Sequence, residues 1–369
     1  MKIQLPEYDL SDFQTKEGLF CGIPSILVYP QSIKVKFNQR NKIFRSSIWS
    51  VDGDLLSASF PKFVNFGENP DNFPVPTNIN GWTFVEKVDG SCVIVDYVND
   101  IFSARTRGTF TYTGMENAVD FEQAFQKYPN VAEFVKEYPH YSLLLEITTP
   151  NLKIILNYGE DVDFFLTGCV DKRTYTLLKQ KELDLISQKI GVKRPMYYTF
   201  SSIQELLENV DAWKGKEGVV SYGPDGQELF KNKSDWYRNL HAAKENFRNI
   251  EAVIDVWYTF GEPNYTEFVQ QLSEHYDYET MLICQGFISR ICDAAKGVQD
   301  IIEGMQYYVD NTLLPLGDPF DKKVRGQQAR NVISSYGVTN RANFVFKLLE
   351  GKSLNAEDKK KLMYQVLKK

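Results

Sequence analysis

FVEKVDGSCV, residues 84–93, is the stretch on which the reading of the fold turns. Phe84-Val85-Glu86 has the texture of a strand end, and Ser91-Cys92-Val93 that of a strand start. Asp89-Gly90 between them is the commonest kind of hairpin signal. Lys87 stands two residues before it. Taken alone, the stretch makes Lys87 a solvated turn residue. The rest of the chain decides whether it is a nucleophile instead.

Short alternating runs recur on both sides of this stretch. They include SILVY (25–29), WTFVEK (82–87), SCVIVDYV (91–98), FSART (102–106) and YSLLLEIT (141–148). LKIILNY (152–158), VDFFLTGCV (162–170), EGVVSY (217–222) and ELFKNK (228–233) follow. Each is bounded by Gly, Pro, Asn or Asp, and Gly223-Pro224-Asp225-Gly226 reads as a hairpin turn. Helical patterns intervene at 116–127, 130–137, 174–190 and 201–213. Strands joined mostly by short turns predict an α+β domain built on antiparallel sheets.

After His241 the strand signals fade. Helical periodicity marks 279–313, 340–351 and 355–369, with Asn355 and Asp358 as start signals and Gly351 as a stop. The expected boundary falls near 240–246, giving a mixed domain over 1–243 and an all-helical C-terminal domain over 244–369.

Composition narrows the function classes. A chain of 369 residues with 43% hydrophobic and 24% charged residues is an ordinary globular protein, long enough for two domains. The formal net charge of −6 argues against a uniformly basic nucleic-acid binder, but leaves room for a basic cleft. The five cysteines contain no C-x-x-C pair, which reads as reduced thiols and neither a disulfide frame nor a zinc site. Only three histidines are present, His140, His241 and His275, so a histidine metal cluster is not expected. The N-terminal segment lacks an apolar signal core and no run approaches 18 apolar residues, so a cytoplasmic protein without a membrane span is expected.

Charged residues on the predicted strands then form a pattern. Lys87 precedes Asp89-Gly90, and Arg105 and Arg107-Gly108 lie on the next hairpin. Glu146 interrupts the apolar strand LLLEIT, and Glu217-Gly218 opens EGVVSY. Lys231 and Lys233 are two apart on LFKNKSD, so strand pleating sends both to one face. Each alone has an ordinary structural explanation: a partner for a buried cation, a turn residue, a charged edge that discourages aggregation. Their order and type together are harder to explain that way.

The set resembles the covalent nucleotidyltransferases, the superfamily of ATP-dependent DNA ligases, RNA ligases and mRNA capping enzymes. Lys87-Val88-Asp89-Gly90 looks like the nucleophile motif, Glu146 the third motif, Glu217-Gly218-Val219-Val220 the fourth and Lys231-Asn232-Lys233 the fifth. FKNKSDWYRNLH (230–241), ASFPKFVNFGENP (58–70), Arg45-Ser46 and ENAVDFEQA after Arg107-Gly108 are similar to the RNA ligases of T-even bacteriophages, the first phage RNA ligase family. The resemblance covers about 40–243; Val88 and Ser46 depart from its pattern.

The resemblance implies an adenylation domain that joins RNA 5′-phosphate and 3′-hydroxyl ends through lysyl-AMP and an adenylated RNA, releasing pyrophosphate and AMP. Lys87 would be the nucleophile, with Asp89 orienting it or the metal. Lys231 and Lys233 would grip the α-phosphate of ATP, and Arg45 and Arg107 the outer phosphates or the RNA 5′-phosphate. Glu146 would bind the ribose, Glu86 and the main chain at Val85 the adenine, with Gly90 at the nucleotide. Glu217 would hold Mg²⁺ or Mn²⁺. Burial, Lys231, Lys233 and the ion would all disfavour the charged form of Lys87. Tyr237 and Asp235 are lesser candidates, Tyr237 having packing under the strand as at least an equal alternative, and for Phe164 and Phe165 packing outweighs a role in stacking on adenine.

Expected partners are single-stranded or broken-loop RNA, a cleaved tRNA anticodon loop being one candidate for repair, with the protein acting as a monomer in the cytoplasm, a host's if the source is a phage. Lys322, Lys323, Arg325, Arg330, Arg341 and Lys347 offer either an RNA-backbone surface or an ordinary solvated face. The rival expectations are a DNA ligase or capping guanylyltransferase, which would carry a β-barrel after the fifth motif, and a catalytically inactive RNA-binding module.

Overall fold

The computed structural model describes Leu5 and residues 9–30, 35–115, 117–152, 154–244, 246–276, 278–338 and 340–367. The chain divides into two compact units, Met1–His241 and Ala242–Lys369.

In the first unit, β1 (Phe13–Phe20), β2 (Ile23–Pro30), β3 (Ser47–Ser50) and β4 (Leu55–Ala58) make an antiparallel sheet in that order. Next along the chain are β5 (Val64–Asn65), β6 (Thr83–Glu86), β7 (Ser91–Val98), β8 (Ile101–Arg105) and the helices α1 (Ala118–Lys127) and α2 (Asn130–Glu137). Then come β9 (Tyr141–Thr148), β10 (Asp163–Asp171), β11 (Thr176–Leu177), α3 (Gln180–Ile190), β12 (Tyr197–Tyr198) and α4 (Ile203–Ala212). β13 (Gly218–Tyr222), β14 (Leu229–Lys233) and α5 (Asp235–Lys244) complete the series. The second sheet runs β11-β10-β9-β7-β8, antiparallel throughout. The third runs β12-β6-β13-β14-β5, antiparallel except for the parallel β14–β5 edge.

The pleat of β9 shows why these layers form. Leu143, Leu145 and Ile147 pack on one side with Phe121, Phe134 and Ile186 of the helices, while Leu144 joins Ile94, Val170 and Trp49 on the other. Both faces of the second sheet are therefore apolar, and each such side chain contributes roughly 1.5–3 kcal/mol of burial. Under the third sheet, Leu206 and Val210 of α4 meet Phe84 and Val219.

The expected antiparallel α+β architecture is the observed one, with local differences. β6 and β7 are not a hairpin: they belong to different sheets, and Asp89-Gly90 is the crossing between them. Residues 152–158 do not form the expected strand; a 3₁₀ turn at Pro150–Leu152 leads into a loop, and Lys153 lies outside the described residues. The helix expected from 174 starts at Gln180, because Thr176-Leu177 pairs with Val170-Asp171 as β11. Glu116, in the helix expected from 116, also lies outside the described residues; α1 starts at Ala118.

In the second unit, the described residues form only helices and turns: α6 (Ile250–Thr259), α7 (Tyr265–His275), α8 (Tyr278–Tyr308), α9 (Lys322–Tyr336), α10 (Ala342–Leu349) and α11 (Ala356–Leu367). α8 has 31 residues and spans about 46 Å at 1.5 Å per residue. α6, α7, α10 and α11 pack on it. The buried Gln328 amide of α9 donates to the carbonyls of Leu313 and Gly317, satisfying backbone acceptors just past the end of α8. Lys368 and Lys369 of the helix expected over 355–369 lie outside the described residues. No described helix is long and apolar enough to cross a membrane.

Candidate active site

Lys87 extends the β6 ladder by one bond: its N–H donates to the Gly218 carbonyl at 2.8 Å. The chain then leaves the third sheet for the second. At the crossing a Cβ on Gly90 would stand 2.3 Å from the Ile147 carbonyl oxygen, so only glycine fits. Gly218 is also constrained: its φ is +153°, and a Cβ there would lie 1.9 Å from the Asn232 oxygen.

Beside this junction Glu217 is almost fully buried, its side chain 2% exposed. Lys87 Nζ donates to Glu217 Oε2 at 2.9 Å and Lys233 Nζ reaches Oε1 at 2.8 Å. Two ammonium groups, one just past β6 and one at the end of β14, thus share one carboxylate. Burial pushes the Lys87 ammonium down, but Glu217, Glu146 and Asp89 together outweigh it, and the net direction is up. This corrects the expectation that its surroundings disfavour the charged form: the chain's own carboxylates hold Lys87 as an ammonium. Glu146 behaves the opposite way. Burial, with Glu217 and Asp89 as like charges, raises its carboxyl to about 7, against the pull of Lys87 and Arg45.

Lys87, Glu146, Glu86, Gly90, Arg45, Arg107 and Lys231 line one cleft of about 990 Å³. Lys62 lines it too, a residue that sequence reasoning did not single out although it lies in the quoted segment ASFPKFVNFGENP. Among the described residues none of Arg45, Lys62, Arg107 and Lys231 has an ion-pair partner within 4.0 Å. Arg45 and Lys231 instead lie over the Phe63 ring at 5.0 and 5.8 Å from its centroid. Burial and then Arg45, Lys62, Lys233 and Lys87 push the Lys231 ammonium down to about 8. Glu146 acts on Arg45 and Glu68 on Lys62 from beyond ion-pair distance, so this group of cations is open to a closer anion. Glu86 is tied to Met196, donating its N–H to the Met196 carbonyl at 2.7 Å.

Asp89 does not line the cleft. Its carboxylate accepts from the Tyr237 hydroxyl at 2.6 Å and from the N–H groups of Ile155 and Leu156 at 2.9 and 2.8 Å. The Asp89 N–H donates to the Tyr158 hydroxyl at 2.9 Å. Asp89 therefore braces the Lys87 crossing against α5 and the 154–158 loop, which is why that loop is not a strand. Tyr237 both packs and hydrogen-bonds; Tyr158 was read only as part of the strand expected over 152–158, and its contact with Asp89 was not foreseen. Asp235 pairs with Arg238. Phe164 is in the core with Phe125, and Phe165 meets Tyr158 edge-on at 5.8 Å; neither lines the cleft. Arg105, expected beside Arg107, is wholly buried, its guanidinium donating to Ser57 and Ser46.

Among the described residues no three His, Cys, Asp or Glu side chains form a metal cage. Both Glu217 oxygens are engaged by lysines. The donor set fits a hard divalent ion only where substrate phosphates and water supply most of its ligands, with Glu217 turning from a lysine to the ion.

In the helical unit, Arg325 pairs with Glu350 and Lys347 with Asp358, each at 2.7 Å, so two of the six cations read as either an RNA surface or a solvated face are used internally. Lys322 and Lys323 open α9 with no ion pair among the described residues. A separate hollow of about 840 Å³ there has its Glu262 and Lys359 paired to each other at 3.1 Å and gathers no comparable cations.

No family model matches the chain. A Thermovibrio ammonificans protein that carries the provisional name RNA ligase is 26% identical over 208 residues, covering 54% of this chain and 53% of its own. A protein of Autographa californica nuclear polyhedrosis virus, provisionally named a bifunctional polynucleotide kinase/RNA ligase, is 26% identical over 228 residues, 57% of this chain and 31% of its own. The chain thus spans about half the length, or less, of the curated relatives it matches. Among solved structures, an archaeal ATP-dependent RNA ligase aligns over 90% of this chain and 91% of its own, at 13% identity and a TM-score of 0.45.

Proposed function

We propose that this chain is an ATP-dependent RNA ligase that works through a lysyl-AMP intermediate on Lys87. The observation that carries the reading is the pairing of a cleft lysine with a buried carboxylate next to four cations that have no ion-pair partner among the described residues. A polyphosphate substrate supplies the missing counter-charges. The provisional RNA ligase names of the two curated relatives support the substrate class.

Lys87 Nζ attacks the α-phosphorus of ATP, a bond forms between nitrogen and phosphorus, and pyrophosphate leaves. The amine must first lose a proton, and Glu217, 2.9 Å away, is placed to hold or receive it. Lys231 and Lys233 are the cations for the α-phosphate; Arg45, Lys62 and Arg107 serve the outer phosphates. Glu146 takes the ribose and Glu86 the base. Asp89 positions the crossing. Glu217 is the residue that would hold a divalent ion, which would supply charge neutralisation at the phosphates. The helical, strand-free described part of 242–369 favours this reading over a DNA ligase or capping enzyme with a terminal β-barrel. Broken-loop RNA, including a cleaved tRNA, is the proposed substrate.

Incubation with α-labelled ATP and denaturing electrophoresis tests the reading. The unsubstituted protein is expected to retain label and Lys87→Ala to retain none, and the labelled protein to join single-stranded RNA in preference to a nicked DNA duplex. Label persisting on Lys87→Ala would remove Lys87 from the mechanism.

A further inference from the structure

A smaller hollow of about 260 Å³ adjoins the cleft, and Lys62 and Phe63 line both. Its walls are apolar and aromatic: Phe63, Phe73, Leu229 and Phe230. Its mouth is polar, with Lys42, Gln39 and the exposed Glu228 carboxylate. Lys42 Nζ donates to Gln39 Oε1 at 2.8 Å and has no ion pair among the described residues. Nothing in the adenylylation chemistry above uses this hollow.

The geometry of two successive displacements says what belongs beside it. In the first, Lys87 enters opposite the departing pyrophosphate. In the second, an oxygen of the RNA 5′-phosphate attacks the same phosphorus; the new P–O–P bond forms as the nitrogen–phosphorus bond breaks, and Lys87 departs with a proton. In-line attack places that oxygen opposite Lys87, where the outer phosphates of ATP had been. The RNA 5′-phosphate therefore inherits Arg45, Lys62 and Arg107. The nucleoside attached to it must lie in space contiguous with those cations, and the hollow behind Lys62 and Phe63 is such a space.

We infer that the hollow walled by Phe63, Phe73, Leu229 and Phe230 receives the base of the first nucleotide of the 5′-phosphorylated RNA strand, with Lys42 on the following phosphate. This rests on the proposed ligase chemistry. The hollow is smaller than the roughly 300–1,000 Å³ of drug-sized pockets, which suits one unstacked base. Aromatic walls bind a base face with little sequence preference, and the Glu228 carboxylate can accept from an exocyclic amino group.

Two variants outside the adenylylation machinery test it, Lys42→Ala and Phe73→Leu, which keeps the wall apolar and removes its aromatic ring. Lysyl-AMP formation is expected to stay within twofold of the unsubstituted protein. AMP transfer to 5′-phosphorylated RNA is expected to fall at least tenfold at low RNA, through KM. With 5-iodouridine as the first nucleotide, irradiation of the unsubstituted protein is expected to cross-link within 61–74 or 227–230; with the label at the fourth nucleotide it is not. Unchanged RNA KM in both variants, or a cross-link mapped elsewhere, with lysyl-AMP forming normally, would overturn the base pocket and leave the ligase reading standing. Failure of the unsubstituted protein to form lysyl-AMP would overturn both. Should Phe73→Leu itself lose lysyl-AMP formation, the cross-link on the unsubstituted protein decides.

Discussion

Glu217 binds Lys87 through one carboxylate oxygen at 2.9 Å and presents the other to Lys233 at 2.8 Å. An amine held this way is kept protonated, so in the proposed role Lys87 would stay unreactive until something else takes Glu217's charge. The net upward direction at Lys87 comes from Glu217, Glu146 and Asp89 working against burial. Single-turnover adenylylation at fixed magnesium should accordingly speed up with rising pH on the alkaline side. Glu217→Gln removes the largest upward contribution, so its profile should move to lower pH. Its maximal rate should still fall at least tenfold, about 1.4 kcal/mol or more, because the amide cannot take the proton. A profile that does not move would show that Glu217 does not set the Lys87 ionisation.

Glu146 should show function and stability pulling apart. Its carboxyl is raised from an ordinary 4.5 to about 7, chiefly by burial. The folded state therefore binds more protons than the unfolded state between those values, and stability falls as pH rises through that window. Glu146→Gln cannot ionise, so its melting temperature should gain on the unsubstituted protein between pH 5 and pH 7.5. The same variant should bind ATP about tenfold more weakly at pH 7.5, since a neutral amide is a poorer acceptor for a ribose hydroxyl. Parallel melting curves across the pH range would refute the assignment of the raised value to Glu146.

Lys231 offers a proton count. Burial and the neighbouring cations hold it near 8, so it is partly neutral at that pH in the empty cleft. Phosphate oxygens favour the ammonium, so ATP binding near pH 8 should take up protons and weaken as pH rises. Titration calorimetry in buffers of different ionisation enthalpy measures the uptake directly. Lys231→Ala should reduce it and cost at least tenfold in ATP affinity. Equal uptake in the variant would place the titrating group elsewhere.

How much of this could be read from the chain depended on how local each feature is. The apolar run in YSLLLEIT marked β9, and strand pleating, a local rule, sends its successive residues to opposite faces. Lys231 and Lys233 share a strand two residues apart, yet one faces the cleft and the other reaches Glu217, a division that pleating alone does not make. Asp89-Gly90 misled as a hairpin because the choice of pairing partner is non-local: β6 finds β13, and β7 finds β9. LKIILNY is apolar enough for a strand, but Asp89 claims two of its N–H groups. β1 escaped notice because FQTKEGLF is mostly exposed and barely alternates. Lys62, Tyr158 and the burial of Arg105 carry no local mark; their meaning comes from partners distant in sequence, such as Asp89 for Tyr158 and Ser46 and Ser57 for Arg105.

Asp89 sits at the centre of such a non-local arrangement, and its variants should separate positioning from direct catalysis. Its Oδ2 accepts from Ile155 and Leu156, and its Oδ1 from the Tyr237 hydroxyl. Asp89→Asn can keep all three contacts: the amide oxygen faces the two N–H groups, and the Tyr237 hydroxyl turns to accept from the amide nitrogen. Asp89→Ala removes the acceptor at which two backbone N–H groups and one hydroxyl point, at a cost of about 1–3 kcal/mol for each group left unsatisfied. The expected order of melting temperatures is unsubstituted protein, Asp89→Asn, then Asp89→Ala well below. Tyr237→Phe should slow lysyl-AMP formation about tenfold and change the KM for ATP less than twofold, because the hydroxyl acts on the Lys87 crossing without touching the nucleotide. If Asp89→Ala is as stable as Asp89→Asn, the carboxylate is no brace. If Asp89→Asn is stable but forms no lysyl-AMP, the charge of Asp89, beyond its geometry, is what Lys87 requires.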